Sequence, residues 1–260
     1  MTIDSFTSEL YSLRGRRVLV TGASRGIGRA IASLFASAGA DVAIQFHRRD
    51  DLAQSLVSEI EKAGTKSFAL QADLSVPGAG TLLAKRCLDL WQQVDIVVLN
   101  AAEQRRQKLA DVTPENYSLQ VITGFGSSFE IVRELLPGMQ ARGFGRIVAI
   151  GSVQQIRPNA ELTVYAAMKS ALSNLMRNLA KTAGPHGVTC NTILPGLIET
   201  DRSAEVRMDP NAYAALLERI PCRREGSVGE VAALALFLAG PSGGYITGAD
   251  YLIDGGLGLP

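Results

Sequence analysis

Apolar residues recur along this chain with two periods, and the two alternate. Short apolar, β-branched runs at residues 17–21, 41–46, 66–71, 94–100, 146–150 and 188–194 have the length and composition of strands. Between them the spacing turns helical. Ile27, Ile31, Leu34 and Phe35 fall on one face, as do Leu172, Leu175, Met176 and Leu179, and helices are expected near residues 51–63, 79–92 and 114–141. Strands alternating with helices predict parallel pairing, hence an α/β fold built on a doubly wound parallel sheet. No repeat, low-complexity tract or linker divides the pattern, so residues 1–260 are expected to form one domain. Residues 1–14 show no period and are expected to be an N-terminal arm. Residues 199–221 are charged and irregular, with Met208, Tyr213, Leu216 and Leu217 as apolar points.

Composition narrows the function classes. With 260 residues, 47% of them apolar and 20% charged, the chain can bury a sizeable core. The net charge of +1 is scattered, which gives no field for nucleic acid and favours small-molecule chemistry. No apolar run approaches a membrane span, and the N-terminus lacks the basic and apolar regions of a signal peptide, so a cytoplasmic protein with no membrane partner is expected. Cys87, Cys190 and Cys222 are too far apart for a zinc motif or a disulfide framework, and no metal site is expected. His47 and His186 are the only histidines, which disfavours a histidine-based hydrolase; His186 sits in a Gly-Pro-His-Gly turn.

Two stretches carry chemistry. Thr21-Gly-Ala-Ser-Arg-Gly-Ile-Gly28 follows a strand and opens a helix, the context a dinucleotide phosphate site requires. Glycines at 22, 26 and 28 allow a tight turn and close approach to a pyrophosphate, and the helix N-terminus offers unpaired N–H groups to the anion. Their spacing, Gly-x-x-x-Gly-x-Gly, differs from Gly-x-Gly-x-x-Gly. The second stretch runs from Ile150 to Lys169. It places Ser152 at a strand's C-terminal edge, where open α/β sheets bind ligands, and sets Tyr165 and Lys169 four apart on one helix face. A tyrosine titrates near pH ~10, so a base working near neutral pH needs roughly 3 to 4 kcal/mol of stabilised phenolate, and an adjacent cation supplies that kind of interaction. Tyr-x-x-x-Lys alone also describes a surface helix pair, so other residues must carry the reading.

They do so together. The glycine turn, Asp73-Leu74, Asn100-Ala101, Ser152, Tyr165 to Lys169, Pro195-Gly196, and Ile246-Thr-Gly through Asp254-Gly-Gly256 occur in this order, and from about residue 14 to 256 the chain resembles the short-chain dehydrogenase/reductase family. The resemblance implies a Rossmann-like sheet of about seven strands in the order 3-2-1-4-5-6-7. It further implies that Tyr165 is the general acid or base, that Lys169 binds the nicotinamide ribose and lowers the tyrosine pKa, and that Ser152 orients a carbonyl. Cofactor contacts are implied at Gly22, Ser24, Arg25, Gly26, Ile27 and Gly28, at Asp73 and Leu74, at Asn100, Ala101 and Ala102, at Tyr165 and Lys169, and at Pro195, Gly196, Ile198 and Thr200. Residues 199–221 are similar to the family's substrate-covering lid, and the family commonly forms tetramers. A homo-oligomer, tetramer or dimer, is therefore expected, with residues 231–238 and 251–256 as interface candidates, though core packing explains part of that apolar pattern equally well.

The cofactor expectation is NADP(H). Gln45-Phe46-His47-Arg48-Arg49 holds no carboxylate before Asp50 to accept ribose hydroxyls, while His47, Arg48 and Arg25 lie where a 2′-phosphate is expected. Three departures stand out. Leu99 and Ala102 replace the Asn and Gly of the family's Asn-Asn-Ala-Gly, and Gly124 stands where the family places a fourth catalytic residue, asparagine. Two glycines in Thr123-Gly-Phe-Gly-Ser-Ser128 predict a kink or close packing, since each costs about 1 kcal/mol in a helix. The loop at 102–106, Ala-Glu-Gln-Arg-Arg, is either a solvated loop or a charged substrate mouth, and it is similar to one in some gluconate and glucose dehydrogenases. The expected function is thus hydride transfer between NADP(H) and a small polar alcohol or ketone, such as a sugar or sugar acid. A 3-oxoacyl-carrier-protein reductase is the alternative, and a cofactor-binding protein with little or no turnover is the alternative of another class.

Overall fold

The computed structural model describes residues 9–260, the side chain of Glu205 excepted. Seven parallel strands form one sheet: β1 Arg17–Val20, β2 Asp41–Phe46, β3 Ser67–Gln71, β4 Ile96–Leu99, β5 Gly145–Ile150, β6 Val188–Pro195 and β7 Asp250–Ile253. Their order is β3-β2-β1-β4-β5-β6-β7, as the resemblance implied. At the centre Val18 is paired with Val42 on one side and Ile96 on the other.

The near-continuous apolar character of the strands follows from burial on both faces. Val18, Val20, Val42, Ile44, Ile96, Val98, Val148 and Ile150 pack on one side, against α1 Gly26–Ser37, α2 Asp50–Lys62 and α9 Val228–Ala239. The alternate residues Leu19, Ala43, Val97, Leu99, Ile147 and Ala149 pack on the other, against α3 Ala79–Trp91, α5 Ser127–Ala141 and α6 Thr163–Ala183. The period of two is thus present, hidden by two cores rather than one.

The expected helix over 114–141 is divided. α4 Pro114–Val121 passes through a π-helical turn, Ile122–Gly126, before α5 begins, so the kink expected from the glycines is a local change of helix type. Thr113 caps α4, accepting from the Asn116 amide, with Pro114 in the first turn.

Two expectations need correction. Residues 199–221 are not irregular, because α7 Ala204–Arg207 and α8 Pro210–Glu218 lie within them. Asp209 accepts from the amides of Asn211 and Ala212 and Pro210 follows it, an N-terminal signal that the charge of the segment obscured. The run 231–238 is largely core: Val231, Ala232, Ala235 and Leu238 are buried, which removes them as interface candidates. Of the arm, residues 1–8 lie outside the described residues, whereas Leu13 is buried in the core and its amide donates to Ala38 O at 2.8 Å. Among the described residues no helix is long and apolar enough to cross a membrane, and no cluster of His, Cys, Asp and Glu could hold a metal.

Candidate active site

Every expected site residue lies at or near the C-terminal edge of the sheet, where strand ends meet helix starts. β5 delivers Ser152 through Gly151. A Cβ at Gly151 would stand 2.3 Å from Gln155 Oε1 and 2.9 Å from Thr192 Cγ2, so a side chain there would push Gln155 off the Ser152 amide. Gln155 Oε1 accepts the Ser152 amide at 2.9 Å and its Nε2 donates to Ser173 Oγ on α6 at 2.7 Å. This ties the strand end to the helix carrying Tyr165 and Lys169. Ser152 Oγ accepts from the Gln154 amide at 3.2 Å, which leaves the hydroxyl proton available to a ligand oxygen.

Tyr165 and Lys169 sit one turn apart on α6, 8% and 2% exposed, with Lys169 Nζ 5.7 Å from the tyrosine ring centre. Nζ donates to Ile150 O at 2.5 Å. The three residues from strand and helix are therefore brought together. Burial pulls the Lys169 pKa from 10.5 down to about 7, and the charge of Arg202 pushes the same way. In the free protein the amine beside the phenol thus gives up its proton far more readily than an exposed lysine. Burial also pushes the thiols of Cys87 and Cys190 up to about 12, which excludes both as nucleophiles.

The glycine turn is compact for internal reasons. Gly22 and Gly26 have φ of 63° and 57°, and a Cβ on Gly28 would meet Gly22 O at 2.4 Å and Asn100 Nδ2 at 2.6 Å. Asn100 braces the turn, donating from Nδ2 to Thr21 O at 2.9 Å and Gly22 O at 3.0 Å. Thr21 Oγ1 in return accepts the amides of Asn100 and Ala101 at 2.9 and 3.0 Å. Gln45 takes up the Gly22 amide at 2.7 Å and donates to Ala72 O at 2.8 Å. At the start of α1 the cap residue Arg25 makes no side-chain bond to the turn, and the first turn holds no acidic residue. Ser24, Gly26 and Ile27 thus border a helix N-terminus with donors to offer an anion, which fits a dinucleotide pyrophosphate.

Beyond the end of β2, His47 Nε2 lies 3.4 Å from Asp73 Oδ2. The Ser75 hydroxyl, at 2.7 Å, is the main cause holding the Asp73 carboxyl below its ordinary value, with further help from the Ser75 amide, His47 and Arg48. Leu74 is buried in the core. Arg25 pairs with Asp201 at 3.1 Å, and Arg48 makes no ion pair among the described residues. At the far end, the amide after Pro195 donates to Ile253 O at 3.0 Å, and a Cβ on Gly196 would lie 2.7 Å from Asp254 Cα. Ile198 is buried, and Thr200 Cγ2 would stand 3.5 Å from a Cβ at Gly26, which roots the 199–221 segment beside the glycine turn. Arg202 reaches the opposite rim, donating to Ala102 O and Gln104 Oε1, both at 3.4 Å.

Thr21, Gln45, Gln155 and Arg202 were missed in the sequence. Only Gln155 carried a signal, as the last residue of Ser152-Val-Gln-Gln155, a capping box that also forms here. The others act through residues distant in sequence.

A family model described as enoyl-(acyl carrier protein) reductase matches residues 22–258. The L-rhamnose 1-dehydrogenase (NAD(P)(+)) of Sphingomonas sp. is 33% identical over 94% of this chain and 97% of its own. A 3-oxoacyl (acyl-carrier-protein) reductase from Agrobacterium tumefaciens, solved with NADP bound, superposes with a TM-score of 0.92 at 36% identity, covering 98% and 99% of the two chains. A putative gluconate dehydrogenase from the same organism gives 0.90 at 32% identity, covering 96% and 99%. With the sheet order, the glycine turn and the Ser152, Tyr165 and Lys169 cluster beside these matches, the chain belongs to the short-chain dehydrogenase/reductase family.

Proposed function

We propose that the protein is an NADP(H)-dependent oxidoreductase acting on a small polar alcohol or ketone, of the sugar or sugar-acid kind. The observation that carries this reading is the meeting of Ser152, Tyr165 and Lys169 at the sheet edge that also holds the glycine turn. Bound at this edge, the nicotinamide would supply or accept the hydride. Gly22, Ser24, Gly26, Ile27 and Gly28 would hold the pyrophosphate, Arg25 would face a 2′-phosphate, Asn100, Ala101 and Ala102 would border the dinucleotide, and Pro195, Gly196, Ile198 and Thr200 would flank the nicotinamide. His47 and Arg48, with no carboxylate before Asp50, support the 2′-phosphorylated form, as does the NADP bound to the Agrobacterium structure.

In the oxidative direction Tyr165 takes the hydroxyl proton as the carbinol C–H electrons leave as hydride; in reduction it returns that proton to the nascent alkoxide. Ser152 donates a hydrogen bond to the same oxygen. Lys169 stands beside the phenol, and a cofactor bearing negative phosphates favours its charged form, which in turn favours the phenolate.

The 3-oxoacyl-carrier-protein reductase reading is supported by the Agrobacterium neighbour, itself a 3-oxoacyl (acyl-carrier-protein) reductase. Steady-state assays with NADPH and NADP⁺ over polyols, sugars, aldonates and 3-oxoacyl thioesters separate the two. Turnover lost by two or more orders of magnitude in Tyr165→Phe supports catalysis. Binding of NADPH without turnover of any compound would leave a binding protein instead. We further read residues 199–221 as a substrate-covering lid on one oxidoreductase domain, supported by the Arg25–Asp201 and Arg202–Ala102 contacts. A homotetramer is supported by Leu252, 50% exposed on edge strand β7, and by exposed Tyr117 and Phe129; sedimentation tests it. The three free thiols suit a reducing cytoplasm.

A further inference from the structure

The guanidinium of Arg202 is held differently from its neighbours. Arg25 pairs with Asp201 at 3.1 Å, Arg106 with Glu161 at 3.1 Å, and Arg207 with Glu225 at 2.8 Å. Arg202 meets only two neutral oxygens, Ala102 O and Gln104 Oε1, both at the long distance of 3.4 Å, and no carboxylate within ion-pair reach among the described side chains. Glu103, the acidic residue between those acceptors, lies 3.7 Å from Arg105.

The place of this cation in the fold matters. Ala102 and Gln104 follow β4, and Ser152 follows β5, the next strand in the sheet. Arg202 therefore bridges the 199–221 segment to the loop after β4, beside the strand that leads to Ser152. Its charge is felt at Lys169, where it helps pull that amine down. A planar fork whose present bonds are long and neutral exchanges them readily for a bidentate carboxylate at about 2.8 Å.

Resting on the oxidoreductase reading, we infer that Arg202 pairs with a carboxylate of the substrate, so the preferred substrate is a hydroxy acid or the matching oxo acid, not a neutral polyol, sugar or thioester. The carboxylate binds at the rim while the reacting oxygen lies between Ser152 and Tyr165.

The test compares acid and neutral partners in the wild type, Arg202→Met and Arg202→Lys: D-gluconate against D-glucitol, and acetoacetate against its N-acetylcysteamine thioester. Folding of each variant is checked by its melting temperature and by NADPH binding. The wild type should favour an acid by about tenfold or more in kcat/KM. Arg202→Met should abolish that preference, lowering kcat/KM for the acid at least about tenfold more than for its neutral partner, and Arg202→Lys should restore part of the ratio, as a point charge without the fork. Preference for the neutral partner, or an acid preference that survives in Arg202→Met, overturns the inference alone. A rise in the NADPH KM in Arg202→Met that matches the loss with acid also overturns it, by giving the guanidinium to the cofactor. Absence of turnover with every compound overturns the oxidoreductase reading beneath it.

Discussion

Replacing Lys169 by methionine should abolish turnover and yet stabilise the cofactor-free protein. Methionine matches the buried stem of Lys169 and removes a charge that folding strips of water. Burial lowers the amine from 10.5 in the unfolded chain to about 7 in the fold. Below pH ~7 both states carry the proton and the full cost is present, roughly 5 kcal/mol at about 1.4 kcal/mol per unit. At pH 7 the folded lysine is half-protonated and the cost is about 4 kcal/mol. From pH ~7 to ~10.5 the unfolded chain holds a proton the fold has released, so wild-type stability rises with pH, and by pH 10 under about 1 kcal/mol of the cost remains. The variant gives up a charge-assisted bond to Ile150 O, worth about 1.5–3 kcal/mol, so a net gain of about 1–2.5 kcal/mol is expected at pH 7. Urea unfolding of both proteins without cofactor, from pH 6 to 10, measures the difference and cancels the other titrating groups. A difference that stays level over this range, or a variant less stable than wild type at pH 7, would refute the reasoning.

Other outcomes follow from the same geometry. Gly124→Asn should be tolerated, because its Cβ meets only Met168 Cβ at 3.5 Å, and should change kcat less than tenfold, an effect under ~1.4 kcal/mol; a large gain with KM steady would show that the missing asparagine limits turnover. Gly28→Ala forces a methyl onto Gly22 O and Asn100 Nδ2, at about 1–3 kcal/mol or more, and should lower both Tm and NADPH affinity; wild-type values for both would show that the turn yields. Arg25→Ala and Arg48→Ala should each raise the KM for NADP⁺ and leave that for NAD⁺ nearly unchanged. A lower KM for NAD⁺ than NADP⁺ in the wild type, or an unchanged NADP⁺ KM in Arg25→Ala, defeats the cofactor assignment.

Much of the fold was legible because it rests on local rules. Strand runs at 41–46 and 146–150 and the helix faces around Ile31 and Leu172 follow from periodicity, and the alternation of the two implies a parallel sheet without knowledge of any contact. The errors lie where two local signals compete. In 199–221, charge hid the Asp209-Pro210 helix start, and in 231–238 an apolar run that fitted an interface or the core equally well lies mostly in the core.

The site divides in the same way. Sequence alone determined that Tyr165 and Lys169 share a helix face and that glycines 22, 26 and 28 open a helix, since one turn of helix and one tight turn are set by residues close in the chain. Tertiary structure alone decided that Lys169 would be buried deeply enough to titrate near 7, because desolvation depends on everything packed around the amine. It also decided that Asn100 braces the glycine turn from 78 residues away, that Gln45 secures it from 23, and that Arg202 reaches 100 residues back to the Ala102 carbonyl. Those contacts join separate strand ends and the 199–221 segment, and they exist only once the sheet order has placed those ends side by side.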